Sequence, residues 1–199
     1  MRGLLRNVFW ALCVLIWVGC ASHGMPRWRN FQGDLSGQGY IPVDSGFALS
    51  SAWTSGPYNV ATSSPVIGVD VDGREVVYFG TVDGELVALS ADDGNERWRR
   101  SFATESKSVS IMSAPAVSRD GDIYIVSNHR LADGGFSSTL HKVDEFSRIR
   151  WSYVFADNGF TSGAPKILKW GMDTLIFIYV TVVVDGDPQG TLLALRDNG

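Results

Sequence analysis

Side chains able to do chemistry are few in this sequence, and their spacing does not suit the common catalytic devices. The histidines are His23, His129 and His141, too far apart for the short-range pairs from which zinc sites are built. No Gly-x-Ser-x-Gly elbow and no His-Glu-x-x-His helix occurs, so neither hydrolytic device is present. His129 and His141 are therefore expected on loop and strand surface. Carboxylates are more numerous. Asp70-Val71-Asp72-Gly73 has the middle of a calcium loop, but such a loop needs acids where Gly68 and Phe79 stand. Asp72-Gly73 is also one of several Asp-Gly pairs, with Asp83-Gly84, Asp120-Gly121 and Asp185-Gly186, and Asp-Gly accepts the left-handed backbone of tight hairpins. These acids read as turn residues, and the sequence leads us to expect no catalytic residue, no metal and no cofactor.

The turns connect segments of period two. Glu75-Val76-Val77-Tyr78-Phe79-Gly80-Thr81 and Asp122-Ile123-Tyr124-Ile125-Val126-Ser127 are strands by their alternation and β-branched and aromatic content. The first unit holds four: Pro65 to Val69, Glu75 to Thr81, Glu85 to Ala91 and Glu96 to Phe102. Leu175 to Val184 is a ten-residue apolar run, too short to span a bilayer and expected as a buried strand.

The units repeat. Ser64-Pro65-Val66-Ile67, Ala114-Pro115-Ala116-Val117 and Ala164-Pro165-Lys166-Ile167 place their prolines 50 residues apart. Gly80 to Trp98 returns in part as Leu140 to Trp151, with Trp98 four residues beyond Gly94 and Trp151 four beyond Ser147, and again as Thr191 to Gly199. A fixed period of that length marks a propeller or solenoid, whose sheets bury their faces on one another. The second copy departs in two places: Lys142 stands where the first has Ala88, and an insertion runs from His129 to Ser138.

Strand, Asp-Gly hairpin, Leu-x-Ala-Leu, a small turn residue and then Trp resembles the repeat of the pyrroloquinoline-quinone-type β-propellers. Trp28-Arg29-Asn30-Phe31-Gln32-Gly33-Asp34, followed by Leu49 to Trp53, is similar to how these propellers begin. The family includes quinoprotein alcohol dehydrogenases and cofactor-free members such as BamB. The resemblance covers about residues 28 to 199 and implies an all-β fold: a partial β-propeller of four-stranded blades, about two and a half of them plus an N-terminal closing strand. It implies that Trp98 and Trp151 pack against a neighbouring blade's turn, that Trp53 is the outer-strand tryptophan of a ring-closing blade, and that Gly84 and Gly94 shape the turns. Blades are expected at 63–112, 113–162 and 163–199, the last incomplete, after a closing segment at 28–62, with the chain as the front part of a larger ring. The quinoprotein dehydrogenases hold their cofactor with adjacent cysteines. Here the cysteines are Cys13 and Cys20, and no adjacent pair exists.

The N-terminus points to the destination. Arg2 and Arg6 precede an apolar stretch, Val8 to Val18, and then Gly19-Cys20, a secretory signal over 1–19. Gly19-Cys20-Ala21-Ser22 resembles a bacterial lipobox, with Trp17 where an aliphatic residue is usual. The resemblance implies lipidation of Cys20, a tether over 20–27 and an outer-membrane, periplasmic address. An ordinary cleaved signal is the alternative. Beyond the signal, 15 basic side chains face 21 acidic ones, a balance unsuited to nucleic acid. Two functions follow: a lipid-anchored extracytoplasmic scaffold that binds other proteins, or the N-terminal part of a periplasmic quinoprotein-like dehydrogenase or other enzyme.

Overall fold

A computed structural model describes residues 50–103, 108–132, 134–155 and 159–198. Twelve strands and no helix occupy them. The first sheet runs β1 (Val66–Val69), β2 (Glu75–Gly80), β3 (Glu85–Ser90) and β4 (Glu96–Ser101), all antiparallel and in sequence order. The second has β5 (Val109–Ser110) and β6 (Ala116–Val117) end to end along one edge of β7 (Ile123–Arg130), followed by β8 (Phe136–Val143) and β9 (Ile149–Val154). The third has β10 (Lys166–Trp170), β11 (Asp173–Val184) and β12 (Asp187–Asp197). The innermost strands β1, β6 and β10 are neighbours from sheet to sheet. The chain is thus an all-β, partial propeller whose sheets follow one another around an axis.

Alternation decides which face each residue covers. Val76 and Tyr78 of β2 point into a core shared with Val117, Ile123, Ile125 and Val143 of the second sheet. Val77 and Phe79 point the other way, under Trp53 and Tyr58. The second sheet repeats this: Tyr124, Val126 and Leu140 face Ile167, Ile176 and Ile178 of the third. Each apolar core is therefore a seam between consecutive sheets. Hydrogen bonds cross the first seam at positions 50 residues apart, Thr62 Oγ1 to the Met112 carbonyl at 2.6 Å and Ser63 Oγ to that of Ser113 at 3.1 Å.

The expected strands of the first unit are present, shorter by a residue at one end. Thr81 ends β2 because its hydroxyl accepts from the Glu85 amide at 3.1 Å and closes the turn. Three expectations need correction. Both ends of the insertion from His129 to Ser138 are strand, since β7 and β8 pair from Ile123–Val143 out to Arg130–Phe136, so part of the added length extends one hairpin. Leu175 to Val184 is buried along one face only: Ile176, Ile178 and Val180 are covered, whereas Tyr179 is 57% and Val183 56% exposed. His141 is 7% exposed, not on the surface.

Candidate functional site

The outer-strand tryptophans sit at the seams. Trp98 lies opposite Ala88 and Trp151 opposite Lys142, each next to a bulge in the β3–β4 or β8–β9 pairing. In each case the ring meets a tyrosine of the same sheet, Tyr78 at 5.8 Å and Tyr124 at 6.0 Å between centroids. Trp151 reaches the third sheet, its indole N–H donating to Asp197 at 3.3 Å. Trp53 reaches the first, donating to the Ala91 carbonyl at 2.8 Å, and its ring lies directly on Gly94. A side chain at Gly94 would strike that ring, and its φ of 71° disfavours one in any case. Ser147, at the matching turn of the second sheet, adopts the same region with φ 65°. Gly84 abuts the next sheet: a Cβ there would come within 2.8 Å of the Val109 carbonyl. Cys20 lies outside the described residues.

Two polar clusters inside the seams are invisible in the repeat pattern. In the second seam the Lys142 ammonium lies 2.9 Å from Asp197 and 3.2 Å from Asp122, and the Tyr124 hydroxyl donates to Asp197 at 2.7 Å. Burial alone lowers the lysine pKa, but the Asp197 hydrogen bond and the Asp122 charge outweigh it and hold the pKa above the usual value. Burial and the Asp197 hydrogen bond push the Tyr124 phenol upward.

In the first seam His141 stacks on Phe102 at 4.4 Å. Its Nε2 shares a hydrogen bond with Ser127 Oγ at 2.8 Å and its Nδ1 one with Ser152 Oγ at 2.7 Å; Ser127 Oγ also meets His129 Nε2 at 3.1 Å. Burial, with the nearby His129 and Arg100, pulls the His141 pKa down to about 4. The ring is neutral at neutral pH, and one hydroxyl must donate to it while the other accepts. Ser127 is fully buried, whereas Ser152 is exposed on β9, so His141 ties the interior of the seam to its surface.

Asp70 pairs with Arg97 and accepts from the Arg74 amide at 2.8 Å, which explains its place as a turn residue. Among the described residues no group of three or more His, Cys, Asp and Glu side chains is disposed to hold a metal. Among them, too, no helix is long and apolar enough to cross a membrane. Open features among the described residues include a cleft of about 400 Å³ lined in part by Trp151, Ile176, Leu195 and Asp197, and the outer part of the β11–β12 hairpin, where Tyr179, Val183, Val184 and Leu192 are exposed.

Residues 44–157 match a family model described as outer membrane protein assembly factor BamB. No curated protein matches the chain. Similar solved structures include BamB from Moraxella catarrhalis, 20% identical over 74% of this chain and 47% of that one, with a TM-score of 0.44. Quinohemoprotein alcohol dehydrogenase from Comamonas testosteroni is 16% identical over 78% of this chain and 35% of that one, with a TM-score of 0.50; that likeness shows the fold alone. The chain spans less than half the length of either. The family model covers more than half of the chain and the sheets carry its repeat, so this protein belongs to the BamB-like family of pyrroloquinoline-quinone-type repeat proteins.

Proposed function

We propose that the protein is an extracytoplasmic, lipid-anchored scaffold that binds other proteins and takes part in outer-membrane assembly. The observation that carries the reading is the family match over residues 44–157, to a model described as an assembly factor. The surface supports it: the β11–β12 hairpin extends apolar side chains, Tyr179, Val183, Val184 and Leu192, into solvent, and such patches serve protein contact. Cys20 would carry the anchor, because acyl chains hold a protein at a membrane where a cleaved signal does not.

Affinity purification of the intact protein from membranes, with mass spectrometry of what co-elutes, tests the scaffold. Enrichment of outer-membrane assembly proteins, lost on changing Tyr179 and Leu192 to Ser, is expected. Recovery of the same proteins with the altered hairpin would remove that surface from the reading. Quinone absorbance in the purified protein would favour a dehydrogenase instead. For the anchor, Cys20→Ser should release the protein from membranes and abolish lipid mass; equal membrane retention would sink it.

A further inference from the structure

The polar groups of the first seam form a line that ends at the surface. Ser152 Oγ and His141 Nδ1 are 2.7 Å apart, His141 Nε2 and Ser127 Oγ 2.8 Å, and Ser127 Oγ and His129 Nε2 3.1 Å. Strand register assembles it. Ser152 of β9 lies opposite His141 of β8, which lies opposite Ile125 of β7, and Ser127 and His129 follow Ile125 on the same face at intervals of two. Ile125 still belongs to the apolar core of the seam. Beyond it the seam turns polar, with Phe102, just past β4, stacked on the His141 ring.

A hydroxyl carries one proton and a neutral imidazole one N–H, so the bonds along the line must all run in one direction. When Ser152 donates to Nδ1, the Nε2–H donates to Ser127 and Ser127 donates to His129. The Ser152 oxygen then points its proton at a base and keeps its lone pairs toward solvent. Ser152 is exposed, whereas the ring that holds it is 7% exposed. A nucleophile in hydrogen-bond reach of a base, with the base oriented by a third group, is the arrangement that activates a serine. Arg100 of β4 brings positive charge close enough to help depress the His141 pKa, and its buried Nε–H has no hydrogen-bond partner among the described residues. A cation near the pair favours the oxyanion that attack on a carbonyl creates.

We propose that Ser152 is a nucleophile with His141 as its general base, and that it takes acyl groups from small esters of apolar acids. Val154, two residues along the same face and 63% exposed, offers the acyl chain its apolar contact. Ser152 Oγ attacks the carbonyl carbon while its proton passes to His141 Nδ1. The bond to the alcohol oxygen breaks, that oxygen takes the proton from His141, and the acyl group stays on Ser152 as an ester. Water attacks this ester in turn, giving its proton to His141, which returns it to Ser152 as the carboxylic acid leaves. Ester and water become acid and alcohol. Ser127 touches no reacting atom; it is a positioning residue that holds Nε2.

A base with a pKa of about 4 supports only slow turnover, so covalent capture is the sharper test. With a fluorophosphonate, Ser152 Oγ forms the bond to phosphorus, fluoride leaves, and the proton passes through His141 to solvent. The intact protein in detergent should carry the label on the Ser152 peptide, located by mass spectrometry. Ser152→Ala should abolish labelling, and His141→Phe, which keeps a ring against Phe102, should slow it at least about tenfold. Ser162→Ala, at another exposed serine, should change nothing. His129 of β7 and Arg100 of β4 are the groups whose charges reach the ring and keep it a free base, so the rate should be level between about pH 6 and about pH 8 and fall only near pH 4. Nitrogen NMR should find the His141 proton on Nε2. No labelling, a label on other serines, a rate that His141→Phe leaves unchanged, or a proton on Nδ1 would each overturn the proposal.

Discussion

Replacing Lys142 with Met should destabilise the protein far more than a surface lysine would. The Lys142 side chain is 11% exposed and that of Asp197 6%, whereas Asp122 is 27% exposed. Breaking a buried ion pair from one side costs about 3 to 5 kcal/mol, because the other charge is stranded. Asp197 would keep the Tyr124 hydroxyl at 2.7 Å and the Trp151 indole at 3.3 Å, which softens the loss; the half-open pair with Asp122 adds no more than about 1 kcal/mol. The balance is a loss of about 2 to 4 kcal/mol at neutral pH. Urea unfolding of the intact protein reads it directly. Two further results follow from the same cause. Protonating the stranded Asp197 relieves it, so the deficit should shrink as pH falls. Adding Asp197→Asn to Lys142→Met should return the protein to within about 1 kcal/mol of the parent, since a neutral amide can be buried with its donors satisfied. A single variant within about 0.5 kcal/mol of the parent, or a double variant no better than the single, would refute the view that removing Lys142 strands a buried Asp197 charge in the second seam.

The His141 pKa is depressed, so the unfolded state takes up a proton first; stability should be full above pH 6.5 and fall by about 3 kcal/mol as pH drops toward 4. His141→Phe should flatten that slope, and an unchanged slope would assign it to other groups. Gly94→Ala should cost about 1 kcal/mol for its left-handed backbone and more for displacing Trp53; in a Trp53→Ala background only the backbone part should remain. Ser147→Gly, at the matching turn, should stabilise by up to about 1 kcal/mol, read from the same denaturation curves. Trp98→Ala should cost about 2 to 4 kcal/mol, as the ring is only part-buried in the first seam; an unchanged melting midpoint would exclude it from that core.

Much of the fold is legible because it is local. The alternation in Glu75–Gly80, the Asp-Gly hairpins and the prolines at a 50-residue interval each act within a few residues or at a constant repeat. The turn at Ser147 could be placed from its distance to Trp151, although no glycine marks it. The polar clusters could not be read this way. Tyr124 meets Asp197 across 73 residues, and nothing near Lys142 announces that its charge is matched from another sheet. In the repeat pattern Lys142 is merely a misfit for Ala88; the third sheet turns it into a partner. His141 shows the same limit. Beside a strand pattern a lone histidine looks exposed, and only the ring of Phe102 and the hydroxyls of Ser127 and Ser152 make a buried site for it. The His129–Ser138 insertion was visible, but its pairing was not, because strand extension depends on the register of the opposite strand.

The bulges beside Trp98 and Trp151 have a consequence for how the molecule comes apart. Without a bulge, residues two apart on a strand share a face; here Ile149 joins the core of the first seam and Trp151 that of the second. A single outer strand is thereby pinned to both of its neighbours, and no 50-residue repeat owns a complete interior. Genetic units and cooperative units fall out of phase. A duplication or deletion cut at the Ser-Pro or Ala-Pro boundaries would conserve the spacing yet exchange half of two interiors at once. In native-state hydrogen exchange, the groups of amides that open together should run from the middle of one sheet to the middle of the next, not from one proline to the next.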